Sequence, residues 1–143
     1  MAKVCVFLAE GFEEVEGLTV VDLLRRAGEE VLMVSMGTSL EVTGSHGIKV
    51  SADRLFEEVD YSDADMLVLP GGMPGTLHLG EHKGLTELLI KFNEADKKVA
   101  AICAAPGVFG ANGILKGRKA TCYPGCEEKL KGAVLSEEAV VRD

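Results

Sequence analysis

Cys103 is the residue in this chain best placed to do chemistry. It ends the short apolar run Val99-Ala100-Ala101-Ile102, and Ala104-Ala105-Pro106-Gly107 follows, a small-residue stretch able to open a helix. That pattern predicts a strand, a sharp bend carrying the thiol, and a helix. A side chain at such a bend projects over the carboxyl end of a parallel sheet, where open α/β sheets place their ligands. Free N–H groups and positive potential at a helix start favour a thiolate, so the expected shift of the thiol's pKa is downward. The alternative is a buried cysteine packing as a small hydrophobe; the junction favours the reactive reading.

A second candidate is Glu16. At about 100° per residue, Val20, Leu23 and Ala27 share one helical stripe with it and Leu24 lies at the edge, while Glu14, Asp22 and Arg25 fall toward solvent. A carboxyl on an apolar face needs a partner or keeps its proton. Either Glu16 tips outward and merely favours the helix dipole, or it points into the crevice above the strands and meets Cys103. In the second case a protonated carboxyl would donate a hydrogen bond to the thiolate. Gly71-Gly72 closes another strand at the same edge, where glycine lets the backbone approach a bound atom. The N–H of Gly72, paired with that of Ala104, would then form an oxyanion hole for a tetrahedral species on the Cys103 sulfur.

These residues need a scaffold that brings three distant segments together. Val4–Leu8 reads as a buried strand, 13–27 as a helix stopped by Gly28, and Glu30–Ser35 as a second strand: a βαβ unit with parallel pairing. Residues 41–50 read as a small ribbon around Gly44-Ser45-His46-Gly47. Met66–Leu69 is a third core strand, 85–95 an amphipathic helix, Val99–Ile102 a further strand and 104–112 a small-residue helix closed by Gly113. The fold class expected is α/β, a flavodoxin-like three-layer sandwich with a mostly parallel central sheet, its strand ends near 8, 69 and 102 on one edge.

Composition narrows the function classes. The chain has 143 residues, one domain's worth. Its 23 acidic against 15 basic residues give a net charge of −8, which opposes nucleic-acid binding. No apolar run reaches a membrane span. The N-terminus moves straight into a strand, so a cytoplasmic location is expected, and Cys5, Cys103, Cys122 and Cys126 are read as reduced thiols.

Ala9-Glu10-Gly11-Phe12-Glu13-Glu14-Val15-Glu16, Leu69-Pro70-Gly71-Gly72 and Ala100-Ala101-Ile102-Cys103-Ala104-Ala105-Pro106 together resemble the DJ-1/ThiJ/PfpI superfamily, and its DJ-1 branch in particular. The resemblance runs the length of the chain, residues 1–143 forming a single DJ-1/PfpI-type domain. It implies that Cys103 is an easily oxidised nucleophile, Glu16 its protonated partner, and Gly72 and Ala104 the oxyanion-hole positions. It also implies a homodimer and either a glyoxalase or deglycase acting on small reactive carbonyls, or a redox-regulated chaperone or peroxide sensor. No metal or organic cofactor is implied.

The chain departs from the family pattern in two places. Tyr123 stands where many relatives have a histidine before proline, leaving a third catalytic member in doubt; Tyr123 and His46 are expected only to line the site. Val140–Asp143 reads as a strand entering a hairpin, whereas relatives continue with another strand and helix. The domain is therefore expected to be incomplete at its C-terminus and completed by a separate C-terminal fragment, or to have been shortened.

Competing patterns are weaker. His78-Leu79-Gly80-Glu81-His82 matches a zinc-protease spacing, but Gly80 interrupts it and no third ligand stands out. Cys122 and Cys126 have neither redox nor zinc spacing and read as secondary oxidation sites, with Cys5 a core residue. All three histidines precede Cys103, and Ala104 stands where peptidases carry histidine, so peptide hydrolysis is disfavoured. Leu18, flanked by Val15 and Val21, is expected to form an exposed apolar face that a second copy covers.

Overall fold

A computed structural model describes residues 1–143. Its centre is a five-stranded, wholly parallel sheet. The strands are β1 (Lys3–Leu8), β2 (Glu30–Ser35), β5 (Arg54–Leu55), β6 (Met66–Leu69) and β7 (Lys98–Ala101), in the order β5-β2-β1-β6-β7. The expected strands are present, with Lys3 added to the first and the last running 98–101. The two-residue β5 carries too little pattern to be read from sequence. β3 (Glu41–Thr43) and β4 (Lys49–Ser51) form the antiparallel ribbon. The small pair β8 (Lys119–Ala120) and β9 (Val134–Leu135) is parallel.

Period-two alternation divides the core into two layers. Val4, Val6 and Leu8 of β1 join Val31 and Val68 on the face covered by α1 (Glu14–Arg26). Cys5, Phe7 and Ala9 join Leu67 and Leu69 on the other face. There they meet α2 (Gly75–Glu81), α3 (Lys83–Glu94) and α4 (Pro106–Ala111), through Leu79, Leu85, Leu89, Phe92, Val108 and Phe109. Helices on both faces of a parallel sheet make the flavodoxin-like sandwich. No helix is long and apolar enough to cross a membrane.

The seam of α1 differs from the one that hydrophobic periodicity predicts. Leu23 is 60% exposed and Ala27 is exposed, whereas Glu14, Gly17 and Val21 are buried. Gly17 sets the seam. A Cβ there would stand 3.0 Å from the Phe12 ring and 3.3 Å from Leu8, so its absence lets the helix settle onto β1. A count of apolar side chains gives such a glycine no weight. Val21 is thus core, Leu18 packs against the same core, and of the expected exposed trio only Val15 stays outside, at 69% exposure.

One helix goes unread in the sequence, and one expected strand is missing. Residues 75–81 form α2, although Gly75 and Gly80 suggest a loop: Gly75 is seated against the Phe12 backbone, where a Cβ would stand 2.7 Å from the Phe12 nitrogen. Residues 140–143 form no strand; Asp143 instead accepts from the Lys119 N–H at 2.7 Å and from Arg118 at 3.1 Å.

Candidate active site

The carboxyl ends of β1, β6 and β7 deliver three segments to one place. After β7 the chain bends, and Cys103 takes a left-handed backbone conformation, φ +63°. For a residue with a Cβ this costs about 1–2 kcal/mol. Surrounding hydrogen bonds hold it: Ile102 N–H to Leu69 O at 3.2 Å, Ala105 N–H to Ile102 O at 3.0 Å, and Tyr123 N–H to Cys103 O at 2.8 Å.

Glu16 faces this bend from the first turn of α1. The Glu13 carboxylate caps that turn by accepting from Glu16 N–H at 3.0 Å. One Glu16 oxygen accepts from Gly71 N–H at 3.1 Å, and the carboxyl is within hydrogen-bond reach of the Cys103 thiol. A Cβ added at Gly71 would lie 2.6 Å from Glu16 Oε1 and 2.7 Å from Cys103 Cβ. The absent methyl of Gly71 is the space in which acid and thiol meet.

Their charges are coupled. Burial raises the Glu16 carboxyl above its ordinary 4.5, and the Glu13 charge adds to this, while the bonds from Cys103 and Gly71 oppose it. The Cys103 thiol is raised above 9.0, first by burial and then by the charge and hydrogen bond of Glu16; Ala104 N–H pulls the other way. This corrects the expected downward shift. One N–H cannot outweigh burial and a touching carboxylate, and α4 begins only at Pro106. Acid and thiol therefore act on each other's ionisation, the Glu16 charge holding the proton on the Cys103 sulfur.

Ala104 N–H lies against the Cys103 sulfur, and Gly72 follows Gly71 in the loop after β6. Gly72 has φ +94°, and a Cβ would collide with Glu13 N. Neither the Gly72 N–H nor the Ala104 N–H is bonded to a backbone carbonyl. Tyr123 is 60% exposed and contributes its N–H to Cys103; its hydroxyl takes no part in the bonds that shape the bend. Beside Cys103 a groove of 1190 Å³ runs along β7, lined in part by Glu16, Cys122 and Tyr123.

His46 does not line this groove. Its Nδ1 lies 2.9 Å from Glu14 Oε1 and 3.4 Å from Glu13 Oε1. Sequence reasoning put Glu14 in solvent, yet it is 4% exposed. Its oxygens accept from His46 N–H at 2.9 Å, Ile48 N–H at 3.2 Å and Ser45 Oγ at 3.3 Å. Burial opposes ionisation here, but these bonds and the His46 ring outweigh it and hold the carboxyl down to about 2. The signal that could have found Glu14 is its spacing to Gly17 and Val21. Donor atoms of Glu13, Glu14 and His46 lie within 4.8 Å of one another, but Glu14 is already saturated by N–H and O–H donors. The cluster ties the β3–β4 ribbon to the start of α1. The zinc-protease pattern does not assemble: His78 is exposed on α2, and His82 Nδ1 caps α3 by accepting from Leu85 N–H at 3.0 Å.

The DJ-1/PfpI family model matches residues 2–143. The chain belongs to this family. Among its relatives, DJ-1 homolog A of Arabidopsis thaliana is 42% identical over 142 residues, which are 99% of this chain and 36% of that protein. The chain thus spans about a third of the length of the Arabidopsis relatives it matches. A Pyrococcus abyssi family member named a deglycase is 37% identical, over 92% of this chain and 78% of its own length. The solved structure of oxidized Toxoplasma gondii DJ-1 superposes with a TM-score of 0.93 at 34% identity, covering 99% of this chain and 78% of that one.

Proposed function

We propose that the chain is a cysteine-dependent enzyme acting on small 2-oxoaldehydes without glutathione, in the manner of a glyoxalase or deglycase. The observation that carries this is the contact of one raised carboxyl, Glu16, with one thiol, Cys103, whose sulfur already meets the Ala104 N–H. Glu16 takes the thiol proton as the Cys103 sulfur adds to the aldehyde carbon. The N–H groups of Gly72 and Ala104 receive the developing oxyanion, which is protonated to the hemithioacetal. Glu16 then removes the proton on that carbon and returns it to the neighbouring carbon, giving a 2-hydroxy thioester. Water cleaves the thioester, releasing the 2-hydroxy acid and restoring the thiol. Burial raises this carboxyl above its ordinary value, which makes it a stronger base for the transfer than an exposed glutamate. Names of archaeal relatives as deglycases support the substrate class. The test is lactate release from methylglyoxal: wild type turns over, and Cys103→Ala and Glu16→Gln do not. Equal rates in all three would overturn the proposal.

A second reading, an oxidative-stress sensor or redox-regulated chaperone working through Cys103 oxidation, draws support from the half-exposed thiol and the oxidized state of the Toxoplasma relative. Clean sulfinate formation at Cys103 without turnover would favour it. A cytoplasmic homodimer is the accompanying proposal, supported on α1 by exposed Val15; light scattering that gives a monomer would overturn the dimer.

A further inference from the structure

Cys103 has two other thiols for company. Cys122 lines the same groove, Cys126 follows across Tyr123-Pro124-Gly125, and all three are partly exposed. The turn is fastened to the nucleophile's own backbone. Tyr123 N–H donates to Cys103 O at 2.8 Å, and Cys126 N–H donates back to Tyr123 O at 3.0 Å, so the chain returns at Cys126. Cys126 is near enough for its charge to act on both other thiols, and its N–H lies against the Cys122 sulfur. The three sulfurs do not form a metal cage: the cluster with donor atoms all within 4.8 Å is Glu13, Glu14 and His46. Gly125, at φ +99° with nothing within 4 Å of where a Cβ would stand, lies at the exposed tip of the turn, its N–H donated to the Glu127 carboxylate at 2.8 Å.

We propose that Cys126 is a resolving thiol for Cys103, so that the site is switched off reversibly as a Cys103–Cys126 disulfide; this rests on reading Cys103 as the nucleophile. A hydroperoxide is the oxidant. The Cys103 thiolate attacks its terminal oxygen, the O–O bond breaks, and the leaving alkoxide or hydroxide takes a proton, leaving Cys103 sulfenic acid. The Cys126 sulfur then attacks the Cys103 sulfur; an S–S bond forms, the S–O bond breaks, and the Cys126 proton leaves with the hydroxyl as water. A dithiol reductant reverses the step and is itself oxidised to its disulfide. Sulfenic acid that meets no thiol proceeds to sulfinate, which such reductants do not reverse. Cys126 therefore decides whether oxidation is recoverable. A disulfide requires Cα atoms within about 7 Å, so the exposed turn must carry Cys126 toward Cys103 for the bond to close.

The test treats the reduced chain with limiting hydrogen peroxide and maps the products by non-reducing peptide mass spectrometry. Wild type should give Cys103 joined to Cys126, with methylglyoxal turnover lost and then restored by dithiothreitol. Cys126→Ser and Cys126→Ala, untreated, should turn over like wild type but accumulate irreversible Cys103 sulfinate under peroxide. Cys122→Ser should still form the Cys103–Cys126 bond. Turnover in wild type with sulfinate and no disulfide would overturn the resolving role while leaving the enzyme reading intact. A Cys103–Cys122 bond would overturn the assignment to Cys126. A Cys103 that neither oxidises nor turns over substrate would overturn both.

Discussion

Substituting Gly71 by alanine tests whether the site depends on the meeting of Glu16 and Cys103. Gly71 does not have a positive φ, so alanine adds no backbone strain and leaves the N–H that bonds Glu16 in place. The whole perturbation is one methyl, built 2.6 Å from Glu16 Oε1, 2.7 Å from Cys103 Cβ and 3.0 Å from Ile102 O. Ordinary contact to such atoms is near 3.4–4 Å. Glu16 and Cys103 must therefore each retreat by roughly 1 Å, a displacement of the size that costs about 10²-fold in rate when it separates reacting groups. Overpacking of this kind costs about 1–3 kcal/mol of stability, which leaves a typical domain folded. Gly37→Ala is the control: φ is not positive there and the nearest atom, Ser35 Oγ, is 3.9 Å away. Methylglyoxal turnover should fall by about two orders of magnitude in Gly71→Ala and stay unchanged in Gly37→Ala, with both unfolding cooperatively. Full turnover in folded Gly71→Ala would refute the idea that direct contact of acid and thiol drives the chemistry.

Glu14 is depressed to about 2, so its stabilising contribution is present above 4.5 and is lost as pH falls toward 2. His46 is raised, so its contribution is complete below 6.5 and disappears as pH climbs through the raised value. The stability gap between wild type and His46→Gln should thus be widest between pH 4.5 and 6.5 and shrink on both sides; a gap constant with pH would contradict the pairing. At position 103, glycine relieves about 1–2 kcal/mol of left-handed strain but adds about 0.5–1 kcal/mol of unfolded-chain entropy. By urea titration, Cys103→Gly should therefore be as stable as Cys103→Ala or up to about 1.5 kcal/mol more stable; a glycine penalty of about 1 kcal/mol, as at an ordinary position, would show that the bend is unstrained.

Much of this arrangement is legible in the chain itself. β2 and β6 are bounded as their apolar runs end, because a strand buried on both faces leaves an unbroken signal between turn residues. Cys103, Glu16 and Gly71-Gly72 are recognisable because each sits where an element ends on the same sheet edge. What the sequence hides is set by tertiary contact. The seam of α1 follows a glycine that a hydrophobic stripe ignores, and that same seam draws Glu14 inward to meet donors from a ribbon some thirty residues away. The sign of the Cys103 shift was hidden for a related reason. A helix start is visible locally, whereas the opposing carboxylate belongs to a distant segment and outweighs it only through contact. The helix at 75–81 was masked by glycines whose role is close packing against Phe12.

The pH dependence of Cys103 alkylation by iodoacetamide, compared between wild type and Glu16→Gln, tests the coupled pair most directly. The charge and hydrogen bond of Glu16 hold the thiol up, so removing the charge should move the midpoint to lower pH even as methylglyoxal turnover is lost. A midpoint unmoved by Glu16→Gln would mean that acid and thiol do not act on each other's ionisation, and the account of this site would fail.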